Sequence, residues 1–142
     1  FKGVDVRGKT VVMLVNDPPA PHPNDPERLD ESLFKGREMT YYGRWTYKYE
    51  ECARRQAAAC LIVHDDAGAG YGYDVVQSSF GQRMQFELDG DASPRTPIVG
   101  WLSGAAARAL FARAGMDYEA ELKAANPIFV EVGGKPIRAS KR

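Results

Sequence analysis

Tyr47-Lys48-Tyr49-Glu50-Glu51-Cys52-Ala53-Arg54-Arg55-Gln56-Ala57-Ala58-Ala59-Cys60-Leu61-Ile62-Val63 changes character halfway along. The first part predicts a helix over residues 47–56. Thr46 can cap it, and Glu50 and Glu51 stand early while Arg54 and Arg55 stand late, an order that complements the helix dipole and sets two i,i+4 ion pairs. Tyr49, Cys52, Ala53 and Gln56–Ala57 mark one face. From Ala58 to Val63 every residue is apolar, and a run this short reads as a central buried strand rather than a helix.

Upstream, the turn signal Asp5-Val6-Arg7-Gly8 precedes Lys9-Thr10-Val11-Val12-Met13-Leu14-Val15, which Asn16-Asp17-Pro18-Pro19 ends. This is a second apolar strand. Strand, helix and strand in this order predict a crossover with the two strands parallel. Downstream, Thr96-Pro97-Ile98-Val99-Gly100-Trp101 reads as a third buried strand, with Pro97 at its start where a missing N–H is tolerable. Ser103 caps a helix whose face would carry Leu102, Ala106, Ala109 and Leu110, and Gly115 ends it. Asp117 caps a shorter helix that aligns Tyr118, Leu122 and Ala125 before the stop at Asn126-Pro127. Ile128 to Val132 returns as a last strand.

Two regions fall outside this framework. Between Pro18 and Thr40 the chain carries Pro19, Pro21, Pro23 and Pro26 with many charges and little periodicity, which predicts a long surface excursion of the kind that is often functional. It runs into a dense aromatic segment, Tyr41, Tyr42, Trp45, Tyr47 and Tyr49. Past His64 the chain turns acidic and Gly-rich, with Asp65, Asp66, Asp74, Glu87, Asp89 and Asp91 against Arg83 and Arg95. Loops and short strands are expected there, Met84 to Leu88 alternating as a half-exposed strand would.

Composition bounds the function. The 142 residues are 44% hydrophobic and 27% charged, the proportions of one globular domain, and a chain of this length buries roughly 68–70% of its unfolded surface. Lys plus Arg equals Asp plus Glu at 19 each, which excludes a broad electrostatic footprint for nucleic acid or anionic lipid. No stretch approaches the roughly 20 apolar residues of a membrane span. Opening on Phe1 in mid-pattern and closing on the basic run from Lys135 to Arg142, the chain reads as a segment of a longer protein.

Three blocks carry a family resemblance: residues 5–12, the stretch 47–63, and Pro97-Ile98-Val99-Gly100-Trp101-Leu102-Ser103. Together they resemble the protease-associated domain, and with Tyr41-Tyr42-Gly43-Arg44-Trp45 leading in and His64 following, the insert of zinc-dependent aminopeptidases related to transferrin-receptor and glutamate-carboxypeptidase ectodomains. The resemblance covers about residues 4–115. It implies an α/β fold of the β/β/α swivelling-domain type, with an open mixed sheet, or a small barrel-like one, flanked by two or three helices. It also implies one non-catalytic domain over residues 1–142, with 128–142 the return strand and linker to the catalytic domain. Its partners would be the catalytic peptidase domain of the same parent chain and peptide substrate, in a secreted, periplasmic or cell-envelope setting. Zinc would belong to the parent catalytic domain, with no cofactor in this segment. The family commonly carries Gly where Gln56 stands, at a helix exit that often takes the left-handed conformation, so Gln56 must either adopt that conformation or shift the helix end.

The residues themselves offer little catalytic material. His22 lies among prolines, and His64 with Asp65 and Asp66 lacks a second histidine nearby for a metal; a ring donating to a backbone carbonyl fits better. Gly68-Ala69-Gly70-Tyr71-Gly72 lacks the third glycine of a dinucleotide fingerprint, so a flexible loop fits better than a phosphate cradle. Asp89-Gly90-Asp91 lacks EF-hand spacing, and Ser78, Ser79 and Ser103 lack a nucleophile elbow. Cys52 and Cys60 match neither a CxxC pair nor a zinc-ligand spacing and read as small buried thiols, a disulfide being the alternative. Tyr41, Tyr42 and Trp45 are therefore the candidate interaction residues, either packing the junction between loop and helix or presenting an apolar, hydrogen-bonding face to a catalytic domain or peptide. Two other classes compete with the protease-associated reading: a free-standing binding module, and a small α/β enzyme using the loop 68–72.

Overall fold

The turn before the first strand is closed by Lys9 N–H donating to the Val6 carbonyl at 3.0 Å, with Gly8 in the left-handed region and Arg7 N–H donating to the Asp5 carboxylate. From it β1 (Thr10–Leu14) enters the centre of a four-stranded sheet. The computed structural model describes residues 3–15, 17, 21–32, 39–69, 71–80, 90, 93–124 and 129–131. Along the chain β1 is followed by a small hairpin, β2 (Pro21–His22) and β3 (Asp25–Leu29), then by α1 (Trp45–Arg54) and β4 (Ala59–Val63). Next come α2 (Asp66–Ala69), α3 (Tyr73–Phe80), β5 (Ile98–Leu102), α4 (Gly104–Arg113), α5 (Tyr118–Ala124) and β6 (Phe129–Glu131). The sheet order is β5-β4-β1-β6, with β5, β4 and β1 parallel and the return strand β6 antiparallel to β1. This is an open mixed α/β sheet flanked by helices.

Strand alternation divides the core into two faces. Val11, Met13, Cys60 and Ile62 point to one side, where Cys52 and Ala57 meet them and Trp45, Tyr49 and Trp101 pack around the edge. Val12 and Val63 point to the other, against Ala107 and Phe111 of α4 and Tyr118 of α5. The β1-α1-β4 crossover expected from the sequence is present, and its register sets Val11 opposite Cys60 and Met13 opposite Ile62.

Helix ends follow the local chemistry in most places. Ser103 caps α4 by accepting from Ala106 N–H at 3.2 Å, and Asp117 caps α5 by accepting from Glu119 and Ala120 N–H. Gly115 ends α4 in the left-handed conformation, with Gly115 N–H bonding the Ala112 carbonyl and Met116 N–H the Phe111 carbonyl. Gln56 makes the same motif for α1. Its φ is +56°, its N–H donates to Ala53 and the next N–H, of Ala57, donates to Cys52. The strain of a Cβ in that region is accepted because the Gln56 carbonyl also receives Gly8 N–H at 2.9 Å, tying the helix exit to the turn before β1.

The structure corrects several expectations. Thr46 is not a cap: α1 begins at Trp45 from a single 3₁₀ turn, Tyr41–Gly43, so Thr46 already lies in its first turn. Gln56 is exposed rather than part of the buried face. The third strand is not buried throughout, since β5 is an edge strand whose Ile98 and Val99 are 61% and 48% exposed. In α4 the buried face is Ala107 and Phe111, with Ala106 and Ala109 exposed, because a helix rich in alanine on every side is oriented by its one large ring. Residues 66–69 and 73–80 form the helices α2 and α3 where loops and short strands were expected. The excursion after β1 holds the β2–β3 hairpin. The strand expected at Met84 to Leu88, the Asp residues flanking Gly90 and the stop at Asn126-Pro127 lie outside the described residues.

Candidate functional site

The long excursion is closed at its base by one side chain. Asp17 accepts from the Thr40 N–H at 2.6 Å and from the Thr40 hydroxyl at 2.9 Å, joining residues 23 apart in sequence. Thr40 in turn caps the 3₁₀ turn, its Oγ1 accepting from Tyr42 N–H at 3.2 Å. Half-buried Lys48 lies near the same carboxylate; burial lowers the pKa of its ammonium, and the charge of Asp17 works in the opposite direction. The aromatic segment is thus delivered from a fixed point onto the start of α1.

Helix geometry then sorts the rings. Trp45 and Tyr49, four residues apart, lie on the inner face with ring centroids 5.6 Å apart, and Trp45 also meets Trp101 of β5 at 6.5 Å. Tyr49 donates its hydroxyl to the Gly100 carbonyl at 3.1 Å, and burial drives its phenol well above the ordinary range, with the neighbouring thiols of Cys60 and Cys52 adding to the shift. Tyr47 lies two residues from each of these, on the opposite side of the helix. Its ring meets Tyr42 at 5.0 Å and Tyr41 at 5.6 Å, both edge-on, and the Arg54 guanidinium lies over it at 5.3 Å. Tyr41 and Tyr42 are 50% and 52% exposed, and the Tyr41 hydroxyl donates to Glu50 at 2.5 Å, a bond that raises its pKa.

Of the three candidate residues the structure therefore brings Tyr41 and Tyr42 together on the surface and separates Trp45 from them. Trp45 packs against the core beside Tyr49. Tyr47, missed as a candidate, completes the outer group; the i,i+3 and i,i+7 spacing to Glu50 and Arg54 was the available signal. Those charges are fixed in turn, with Arg54 3.6 Å from Glu50 and Arg55 2.6 Å from Glu51, as the sequence order implied. The outer group is an aromatic surface of rings in edge-on contact, with phenol hydroxyls and paired charges at its rim.

A second constellation lies at the carboxyl end of β4. His64 is sealed in, its backbone N–H bonded to the Leu102 carbonyl and its ring surrounded by Tyr71, Tyr73 and Trp101 at 5.1, 5.8 and 6.0 Å. Its Nδ1 is 2.8 Å from the Asp66 carboxylate rather than bonded to a backbone carbonyl. An ionised carboxylate only accepts, so Nδ1 carries the proton. Nε2 is buried without a hydrogen-bond partner. Of the Gly-rich segment, Gly68 and Ala69 lie in α2, Gly70 lies outside the described residues, and Tyr71 and Gly72 precede α3, which begins at Tyr73. Among the described residues no group of three or more His, Cys, Asp or Glu side chains is placed to hold a metal ion, and no helix is long and apolar enough to cross a membrane. Cys52 and Cys60 are free thiols, both fully buried.

No protein-family model, no curated protein and no solved structure matches this chain.

Proposed function

We propose that this chain is a non-catalytic protease-associated domain of a zinc-dependent aminopeptidase, and that it acts by presenting Tyr41, Tyr42 and Tyr47 to the catalytic domain or to peptide near the active-site cleft. The observation that carries the interaction surface is the pair of half-exposed tyrosines held edge-on against Tyr47. Rings held this way lose little side-chain freedom on binding and combine apolar area with a polar tip. The sequence blocks at 5–12, 47–63 and 97–103 supply the family reading, and the open α/β sheet is compatible with it.

The test begins with the coding sequence on both sides of residues 1–142, which should encode zinc-ligand motifs of an exopeptidase. Tyrosine nitration with tetranitromethane is then compared between this chain and the longer protein. Tyr42 should react readily in the former and Tyr41 more slowly, because its bond to Glu50 disfavours the phenolate, and both should be protected in the latter. Flanking sequence without such ligands, or equal nitration in both proteins, would overturn the reading.

A further inference from the structure

Cys52 projects from the last turns of α1 and Cys60 from the second position of β4, in the same half of the core and each with no exposed surface. Two observations bring the sulfurs together. Cys60 Sγ lies 3.8 Å from the Lys48 carbonyl, and in an α-helix that carbonyl is the acceptor for the N–H of Cys52, four residues on. Helical side chains lean back toward the N-terminus, over the preceding turn, so the Cys52 side chain and the Cys60 thiol meet above one turn of α1. The Cys52 thiol and burial together push the Cys60 pKa far up, as expected for two sulfurs close together in the core.

We propose that Cys52 and Cys60 form a latent helix–strand disulfide, closed by a small-molecule disulfide such as oxidised glutathione while the chain folds. The Cys52 thiolate attacks one sulfur of oxidised glutathione and releases a glutathione thiolate. The Cys60 thiolate then attacks the Cys52 sulfur of the mixed disulfide and releases the second. Two protein thiols are oxidised, two glutathiones are formed, and the two thiol protons pass to buffer or to the departing thiolates. Once the fold is complete the same burial makes the pair inert, because the thiolate is the nucleophile and the buried Cys60 thiol stays protonated. The redox state is therefore set at folding. The bond would pin the C-terminal part of α1 to the sheet beneath the outer tyrosine group.

The chain is unfolded in urea, refolded in a buffer of reduced and oxidised glutathione, quenched with alkylating reagent and examined by intact mass and peptide mapping. A parallel sample is equilibrated in the same buffer under denaturant. The expected product is lighter than the dithiol by two hydrogens, has residues 52 and 60 in one linked peptide, keeps the native circular dichroism, and forms at least about tenfold more favourably folded than denatured. Closure no more favourable in the folded chain than in urea, or a product that is dithiol or glutathione adduct, would overturn the proposal. Cys60→Ser, which keeps a small side chain at the site, should give only free thiol or glutathione adduct. A linked species in that variant would show that the bond in the parent chain is intermolecular, which also overturns it.

Discussion

Tyr47 and Tyr49 stand two residues apart on α1 and belong to different parts of the molecule. Tyr49 packs with Trp45 and Trp101 against the sheet and donates to a strand carbonyl. Tyr47 faces outward and supports two rings that are half exposed. Two residues along a helix turn through about 200°, so an aromatic segment entering a helix is divided whether or not its rings resemble one another. Local packing and interaction surface are then complementary uses of one segment.

The largest effect should come from the inner group. Trp45 is half-buried, so Trp45→Ala should cost toward the lower end of the about 3–5 kcal/mol typical for a buried Phe or Trp truncated to Ala. Urea unfolding read at constant slope measures it. A loss below about 1 kcal/mol would break the division, since Trp45 would then act as a surface ring.

The division explains what could be read from sequence. Period and length sufficed for β1, α1 and β4, because a crossover needs only alternation, capping charges and an apolar run, and the caps Ser103 and Asp117 were legible because each acts within three residues. Burial of β5 was not legible. Ile98 and Val99 look like core, but their exposure depends on which strand falls at the sheet's edge, a property of topology. The start of α1 was missed because Thr46 is a better cap than Arg44 in isolation, while the bond from Asp17 to Thr40 that sets up the preceding turn spans the whole excursion. The His64–Asp66 pair needed α2, whose Gly68 argues against a helix.

The second prediction sharpens the comparison through the hydroxyls. Tyr49→Phe leaves the Gly100 carbonyl without its partner in a partly buried place and should cost about 1–2 kcal/mol. It should also change the alkaline limb of stability. Burial holds the Tyr49 phenol above its unfolded value, so between the two values the folded state binds more protons and stability falls as pH rises. The parent chain should therefore lose stability from about pH 10 upward more steeply than Tyr49→Phe. Cys60, Tyr41 and Tyr118, whose pKa values are also raised in the fold, would account for slope remaining in the variant. Parallel alkaline limbs would show that Tyr49 ionises without opposing the fold.

A third change acts on the helix that carries both groups. Gln56 holds a side chain at φ +56°, a conformation that costs an L-residue about 1–2 kcal/mol. Gln56→Gly relieves that strain and returns part of it as extra freedom in the unfolded chain, for a net gain of about 0.5–1 kcal/mol. Thermal unfolding should shift upward by a few degrees, with the inner and outer rings unchanged in their near-ultraviolet signals. A downward shift would mean that the Gln56 side chain contributes more than its backbone strain costs.

The smallest effect on stability should come from the outer group, and that is where the comparison is most exposed to failure. Tyr42→Ala removes two edge-on contacts, to Tyr41 and Tyr47, each of a kind worth about 0.5–1.5 kcal/mol beyond area burial. Tyr42 is half exposed, however, so part of its ring is solvated before and after, and the Tyr41–Tyr47 contact and the Arg54 guanidinium over Tyr47 remain in place. The expected loss is below about 1 kcal/mol, several times less than for Trp45→Ala. If the outer rings serve recognition, the same substitution should abolish the protection of Tyr41 from nitration in the longer protein while leaving the unfolding midpoint nearly unmoved. A Tyr42→Ala loss equal to that of Trp45→Ala would make both groups structural and would transfer the search for an interface to the exposed start of β5.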